Sequence, residues 1–207
     1  MNTSHIQGIF AGMIIFMVIC IFGLYAILPS DYASIGIFVF VLIACIAFTI
    51  GLKAIVLEDD RKLNEKDVSD IVLNASIAVL SIVGTMLAFI SQRPLIGRAF
   101  ENTIGYKWID MFSGLSEAIN GVFEGSPGYN YNILATQLYD DQISLDQLNN
   151  VASMFNGVKV KDGANLEPLQ SIITKKRIIS EATLTSLATV IAFYISYLPV
   201  WKPWIRG

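Results

Sequence analysis

Four apolar runs set the pattern of this chain. They cover residues 8–28 (GIFAGMIIFMVICIFGLYAIL), 34–57, 71–91 and 178–198. A helix needs roughly 20 mostly apolar residues to cross a hydrocarbon core of about 30 Å, and each run is that long. The first has no charge and follows a flank, MNTSHIQ, without Lys or Arg. A cleaved signal peptide would have a basic start and a shorter core, so an uncleaved span is expected. Only PSDYA (29–33) separates the first two runs. Pro29 ends a helix and Asp31 favours a turn, which makes the two spans antiparallel neighbours.

The pattern predicts an all-α membrane protein with four transmembrane helices and a mainly helical domain inserted between helices 3 and 4. Residues 1–7 form a tail and 58–70 a charged connector, EDDRKLNEKDVSD. Residues 92–177 form the inserted domain, and 199–207 (PVWKPWIRG) an aromatic and basic C-terminal anchor. Trp201, Lys202 and Trp204 suit a membrane interface. Within the inserted region, Trp108, Phe112, Leu115, Ile119 and Val122 fall at i, i+4, i+7, i+11 and i+14. That spacing predicts one amphipathic helix of about four turns, stopping at GSPGYNYN. A second helix is expected over 131–139. A third starts at Ser144, where Ser144 and Gln147 fit a capping box, and stops at Gly157. VKVKDGANL (158–166) alternates and turns at Asp162-Gly163, which reads as a short hairpin.

Small residues mark the faces on which membrane helices pack. Gly8 and Gly12 form such a pair in the first run, and Ala47 and Gly51 in the second. In the third, Asn74, Ala78, Ser81, Thr85 and Ala88 make one stripe. Ala182, Ser186, Thr189, Ala192 and Ser196 make another in the fourth. These stripes predict packing against each other or a partner span. A hydrophilic path is the alternative, and the chain would then be a channel or transporter subunit. No run has a charge at its centre, as a channel wall usually would. Glu181 lies four residues after Arg177, where a salt-bridged helix start is expected.

Composition agrees with a membrane protein: 54% of the 207 residues are hydrophobic and 15% charged, against about 25% charged in a soluble domain. The net charge of −3 argues against nucleic acid as a partner. Cys20 and Cys45 lie in apolar runs and form no zinc spacing, and His5 is the one histidine. No His-based triad, phosphate loop or nucleophile elbow can be assembled. The expectation is a protein without catalytic residues, metal or cofactor.

Charge then decides how the inserted domain is oriented. From Trp108 to Val158 there is no Lys or Arg but six acids: Asp110, Glu117, Glu124, Asp140, Asp141 and Asp146. A helix lying on an anionic bilayer carries bases on its polar face. The 108–122 stripe therefore predicts a protein partner, or the domain's own core, rather than lipid. The bases sit at the two roots of the domain: Arg93, Arg98 and Lys107 at one, Lys175, Lys176 and Arg177 at the other. They are expected to touch headgroups. Counting Lys and Arg on the two sides of the membrane gives no orientation, although the short loops alone favour an inner N-terminus.

RPLIGRAFENTIGYKWID (93–110), running on into an amphipathic helix, resembles the segment that follows membrane spans in membrane-embedded minor capsid proteins of large icosahedral DNA viruses. Those proteins tie an internal membrane to a capsid shell. The resemblance implies a virion structural component in the internal membrane. Its partners would be the bilayer and other membrane or capsid proteins in a large assembly. It would also put the inserted domain on the capsid side, contrary to the short-loop count.

Overall fold

The computed structural model describes residues 3–28, 30–57, 65–92, 98–125, 131–139 and 143–205. They are mostly helical. The chain divides into two compact units, residues 1–92 with 182–207, and residues 93–181.

The first unit contains α1 (Thr3–Ile27), α2 (Ser30–Leu57), α3 (Glu65–Gln92) and the later part of α8 (Glu167–Ile205). The Phe16 ring meets Phe40 at 6.5 Å. Both lie twelve residues from Leu28, as antiparallel neighbours require. Each helix buries a narrow line at helical spacing: Met17, Ile21 and Tyr25; Ile37, Val41 and Cys45; Val72, Val79, Val83 and Leu87; Ala182, Thr189, Ala192 and Phe193. Between α2 and α3 the close point is Gly84, where an added Cβ would come within 3.2 Å of the Phe38 ring.

Most of the small-residue faces expected to pack do not. Gly8 and Gly12 are exposed with nothing near them, and Ala47 is exposed. Gly51 lies outside the residues whose burial is described. On α3, Asn74, Ser81 and Thr85 face outward and Ala78 is half-buried. The buried line of α3 is instead the aliphatic one, Val72–Val79–Val83–Leu87. Mid-sized branched chains fill the gap between these helices better than methyls do. On α8, Ser186 and Thr189 are buried.

By length and composition, α8 is the one helix among the described residues that can cross a membrane, over Glu167–Tyr197. The apolar stretches described in the other three are shorter: 11–27, 35–47 and 72–88.

The second unit is built from a π-helical turn (Glu101–Gly105), α4 (Tyr106–Phe112), α5 (Leu115–Val122), β1 (Phe123–Glu124), α6 (Tyr131–Thr136), α7 (Leu145–Ser153), β2 (Lys159–Val160) and the start of α8. Its core takes Tyr106 and Ile109 from α4, Leu115, Ile119 and Val122 from α5, Leu134 from α6, Leu148 and Val151 from α7, and Leu169, Ile172 and Ile173 from α8. The Ser144 hydroxyl caps α7 by accepting from the Gln147 N–H at 3.4 Å. The expected hairpin does not form. β2 pairs antiparallel with β1, Phe123 opposite Val160 and Glu124 opposite Lys159. Asp162-Gly163 is still a turn, with Gly163 at φ 69°.

Several predicted boundaries change: α1 starts at Thr3, within the predicted tail, α3 starts at Glu65, within the predicted connector, and two further changes bear on the inserted domain. The helix expected over 107–122 is two helices, because Gly114 adopts a left-handed φ of 63° that ends α4 and starts α5 in a new direction. The fourth apolar run is not a separate helix starting at 178. α8 begins at Glu167, so Glu181 is mid-helix, and its contact with Arg177 at 3.9 Å is an ordinary i, i+4 pair.

Candidate docking surface

The break at Gly114 divides the predicted stripe in two. Leu115, Ile119 and Val122 go into the core. Trp108 and Phe112 remain 50% and 66% exposed. On α4 the inward positions are Tyr106 and Ile109, so α4 is apolar on two sides. The outer side of the π turn and α4 together carries Ile104, Trp108, Met111 and Phe112 at i, i+4, i+7 and i+8, with Met111 70% exposed. The Trp108 and Phe112 rings lie 5.0 Å apart, tilted by 48°. They line a shallow groove of about 610 Å³ together with Thr103, Ile104, Lys107 and Met111. Contiguous exposed apolar surface of this kind marks an interaction site more often than chance exposure.

A buried polar cluster fixes this surface from behind. Lys176 has no exposed area. Its ammonium donates to Asn102 Oδ1 at 2.8 Å, to the Leu138 carbonyl at 3.0 Å and to the Ala135 carbonyl at 3.3 Å. The last two are carbonyls at the C-terminal end of α6, which a cation satisfies and the helix dipole favours. The Tyr139 ring lies below the ammonium at 4.9 Å and below the Arg98 guanidinium at 4.6 Å. The Asn102 amide donates to the Tyr139 hydroxyl at 2.8 Å, and the Tyr106 hydroxyl donates to Asn132 at 2.6 Å. Burial lowers the Lys176 pKa to about 8, and the buried Glu101 carboxylate acts in the opposite direction.

The π turn makes this cluster possible. One extra residue per turn aims both Glu101 and Asn102 at α8. Its last residue, Gly105, sits directly on α8, where a Cβ would collide with the Ser180 hydroxyl and the Lys176 carbonyl. The turn and α4 are thus seated on α8 by backbone contact.

Among the expected headgroup anchors, Lys176 is overturned. Among the described residues of its unit it is the most deeply buried charged group, because it continues the inward stripe Leu169–Ile172–Ile173 of α8. Arg98 is half-buried over Tyr139, Arg177 is half-buried beside Glu181, and Lys175 is exposed. Arg93, and the side chains of Trp201, Lys202 and Trp204, lie outside the described residues, as does most of the charged connector. Sequence reasoning missed Met111 and Ile104. Their spacing with Trp108 is plain in the sequence, but it competes with the Trp108–Phe112–Leu115 phase, and only the Gly114 conformation decides between them.

No protein-family model, curated protein or solved structure matches this chain.

Proposed function

We propose that this chain is a non-enzymatic, four-span membrane protein whose inserted domain docks to other proteins, linking a virion's internal membrane to its capsid shell. The membrane part is carried by one observation, the inversion of the helical unit. Its large apolar side chains point outward: Ile15, Phe16, Ile19, Ile43, Ile46, Leu73, Ile77, Ile191 and Ile195 are each about half exposed or more. Ser76, Thr185, Ser186 and Thr189 point inward, although Asn74, Ser81 and Thr85 do not. The Tyr25 and Thr185 hydroxyls bond at 3.1 Å, Ser76 and Tyr197 at 2.7 Å, and the Thr189 hydroxyl donates to the Thr185 carbonyl at 2.8 Å. Water would favour the reverse. Lipid favours this arrangement, because helices in lipid are joined by packing and by hydrogen bonds sheltered between them. α1, α2 and α3 have 25, 28 and 28 residues. At about 1.5 Å per residue each exceeds a 30 Å hydrocarbon core.

The inward hydroxyls of Thr185 and Tyr197 weigh against a channel subunit, since they are spent on Tyr25 and Ser76 of neighbouring helices. The docking role rests on the closed core of the inserted domain and on its exposed acids, Glu117, Glu124 and Asp146. The virion assignment rests on the resemblance of residues 93–110 and on the layout of runs and domain.

Cross-linking and purification from the native membrane test the proposal. The expected result is a stoichiometric shell protein cross-linked to the inserted domain. Recovery of the chain without such a partner, or selective ion flux through the purified protein in liposomes, overturns it.

A further inference from the structure

We infer that the outer face of α4 is a bilayer-contacting surface, with Trp108, Met111 and Phe112 seated at the boundary between headgroups and acyl chains. This rests on the membrane reading proposed above. Three observations select lipid over a protein partner.

The first is charge. The stretch without bases, Trp108 to Val158, covers the whole stripe 108–122. Its buried half, Leu115 to Val122, is consumed by the core. Its exposed half, Trp108 and Phe112, forms one face with Ile104 and Met111 and adjoins Lys107, the base that precedes the stretch. Lys107 is exposed and lines the groove itself, and no carboxylate does. A cation flanking an apolar groove suits anionic headgroups.

The second is residue type. A tryptophan tilted against a phenylalanine, with methionine beside them and Lys107 at the edge, is the composition of an interfacial anchor.

The third is continuity. The π turn that starts this face rests by backbone contact on the Lys176–Ser180 turn of α8. α8 is the helix whose length and apolarity suit a membrane crossing. Gly105 leaves no room for a side chain there, and Asn102 is tied to Lys176 at 2.8 Å. The face is therefore held on the part of α8 within its own unit, Lys176 to Ser180, and not on a free loop.

The test uses the full chain with Trp201→Phe and Trp204→Phe, leaving Trp108 as its single tryptophan. It is reconstituted in phosphatidylcholine–phosphatidylserine vesicles containing lipids spin-labelled at a shallow or a deep acyl position. A second chain with all three tryptophans replaced by Phe carries Leu187→Trp, a reporter on the outward side of α8. The expected result is blue-shifted Trp108 emission, quenched more by the shallow label than by the deep one. Met111→Asp with Phe112→Asp should abolish that quenching. If Trp108 ignores both labels while the Leu187→Trp reporter is quenched, the chain is in the membrane and the α4 inference is overturned. Trp108 protected from iodide only in the native assembly would assign the face to a protein and overturn it likewise. If neither reporter is quenched, the membrane reading itself has failed, and this inference with it.

Discussion

The Lys176 ammonium donates to the Leu138 carbonyl at 3.0 Å across 38 residues of sequence. One side chain thereby ends α6, holds Asn102 and sits on Tyr139. Replacing it with Met keeps the length but leaves three acceptors without their donor. Lys176→Met is expected to destabilise the inserted domain by about 2–4 kcal/mol, the range for breaking a buried, charge-assisted set. Denaturant unfolding of the purified full chain carrying Trp201→Phe and Trp204→Phe, followed through Trp108, measures this.

The same group makes stability depend on pH in a defined direction. Its pKa is about 8 in the folded protein against an ordinary 10.5. Between these values the unfolded chain binds more protons than the folded one, so stability rises with pH. Below pH 8 the ammonium is charged in both states and the dependence vanishes. The wild type should gain stability relative to Lys176→Met as pH rises from 8 to 10.5. A flat difference between the two curves would contradict it.

The division of the 108–122 stripe separates two substitutions that the sequence alone would treat alike. Ile119 is fully buried and Phe112 is 66% exposed. Ile119→Ser should cost about 3–5 kcal/mol through the cavity and the buried hydroxyl. Phe112→Ser should change stability by less than about 1 kcal/mol. Limited proteolysis of the full chain compares them directly, with Ile119→Ser cut in the domain and Phe112→Ser intact.

Gly105→Ala tests the seat of the π turn on α8. The added methyl meets the Lys176 carbonyl, which is backbone and cannot swing away. A loss of about 1–3 kcal/mol is expected, as for other overpacked sites. Ser180→Ala in the same chain should recover only part of it, because the carbonyl contact remains.

In the helical unit, Ser76 and Tyr197 are coupled through a 2.7 Å hydrogen bond. A double-mutant cycle of Ser76→Ala and Tyr197→Phe should give about 0.6 kcal/mol, and not above about 1.7, as for buried bonds between membrane helices. A coupling near zero would mean that the two hydroxyls find equal partners elsewhere.

Much of this architecture is legible in the sequence, for identifiable reasons. The apolar runs give the helices of the first unit, and PSDYA gives the antiparallel pairing of the first two. The cap at Ser144 follows from its spacing to Gln147. These features are local, and local signals are what a sequence carries best. What it hides is set by tertiary choice. Gly114 could have continued a helix at modest cost, and only its left-handed φ shows that it does not. Lys176 looks like one base among three. Yet it lies three residues after Ile173 and four before Ser180, on the inward stripe, and that spacing was the available signal. The partner of β2 is a strand some 35 residues earlier, beyond the reach of the turn at Asp162-Gly163. The small-residue stripe on α3 misleads because small residues permit close packing without requiring it.

The position of α8 also orders events in time. Among the described residues, the other buried core positions of the inserted domain lie at or before Val158, whereas Leu169, Ile172 and Ile173 come from α8. During synthesis the domain is therefore made in full before the helix that completes its core. On the membrane reading, the same helix must also be threaded into the bilayer. The core lacks Leu169, Ile172 and Ile173 until the start of α8 is made, so closure of the domain reports that the first turns of this helix have been made, ahead of the residues from Ala182 onward.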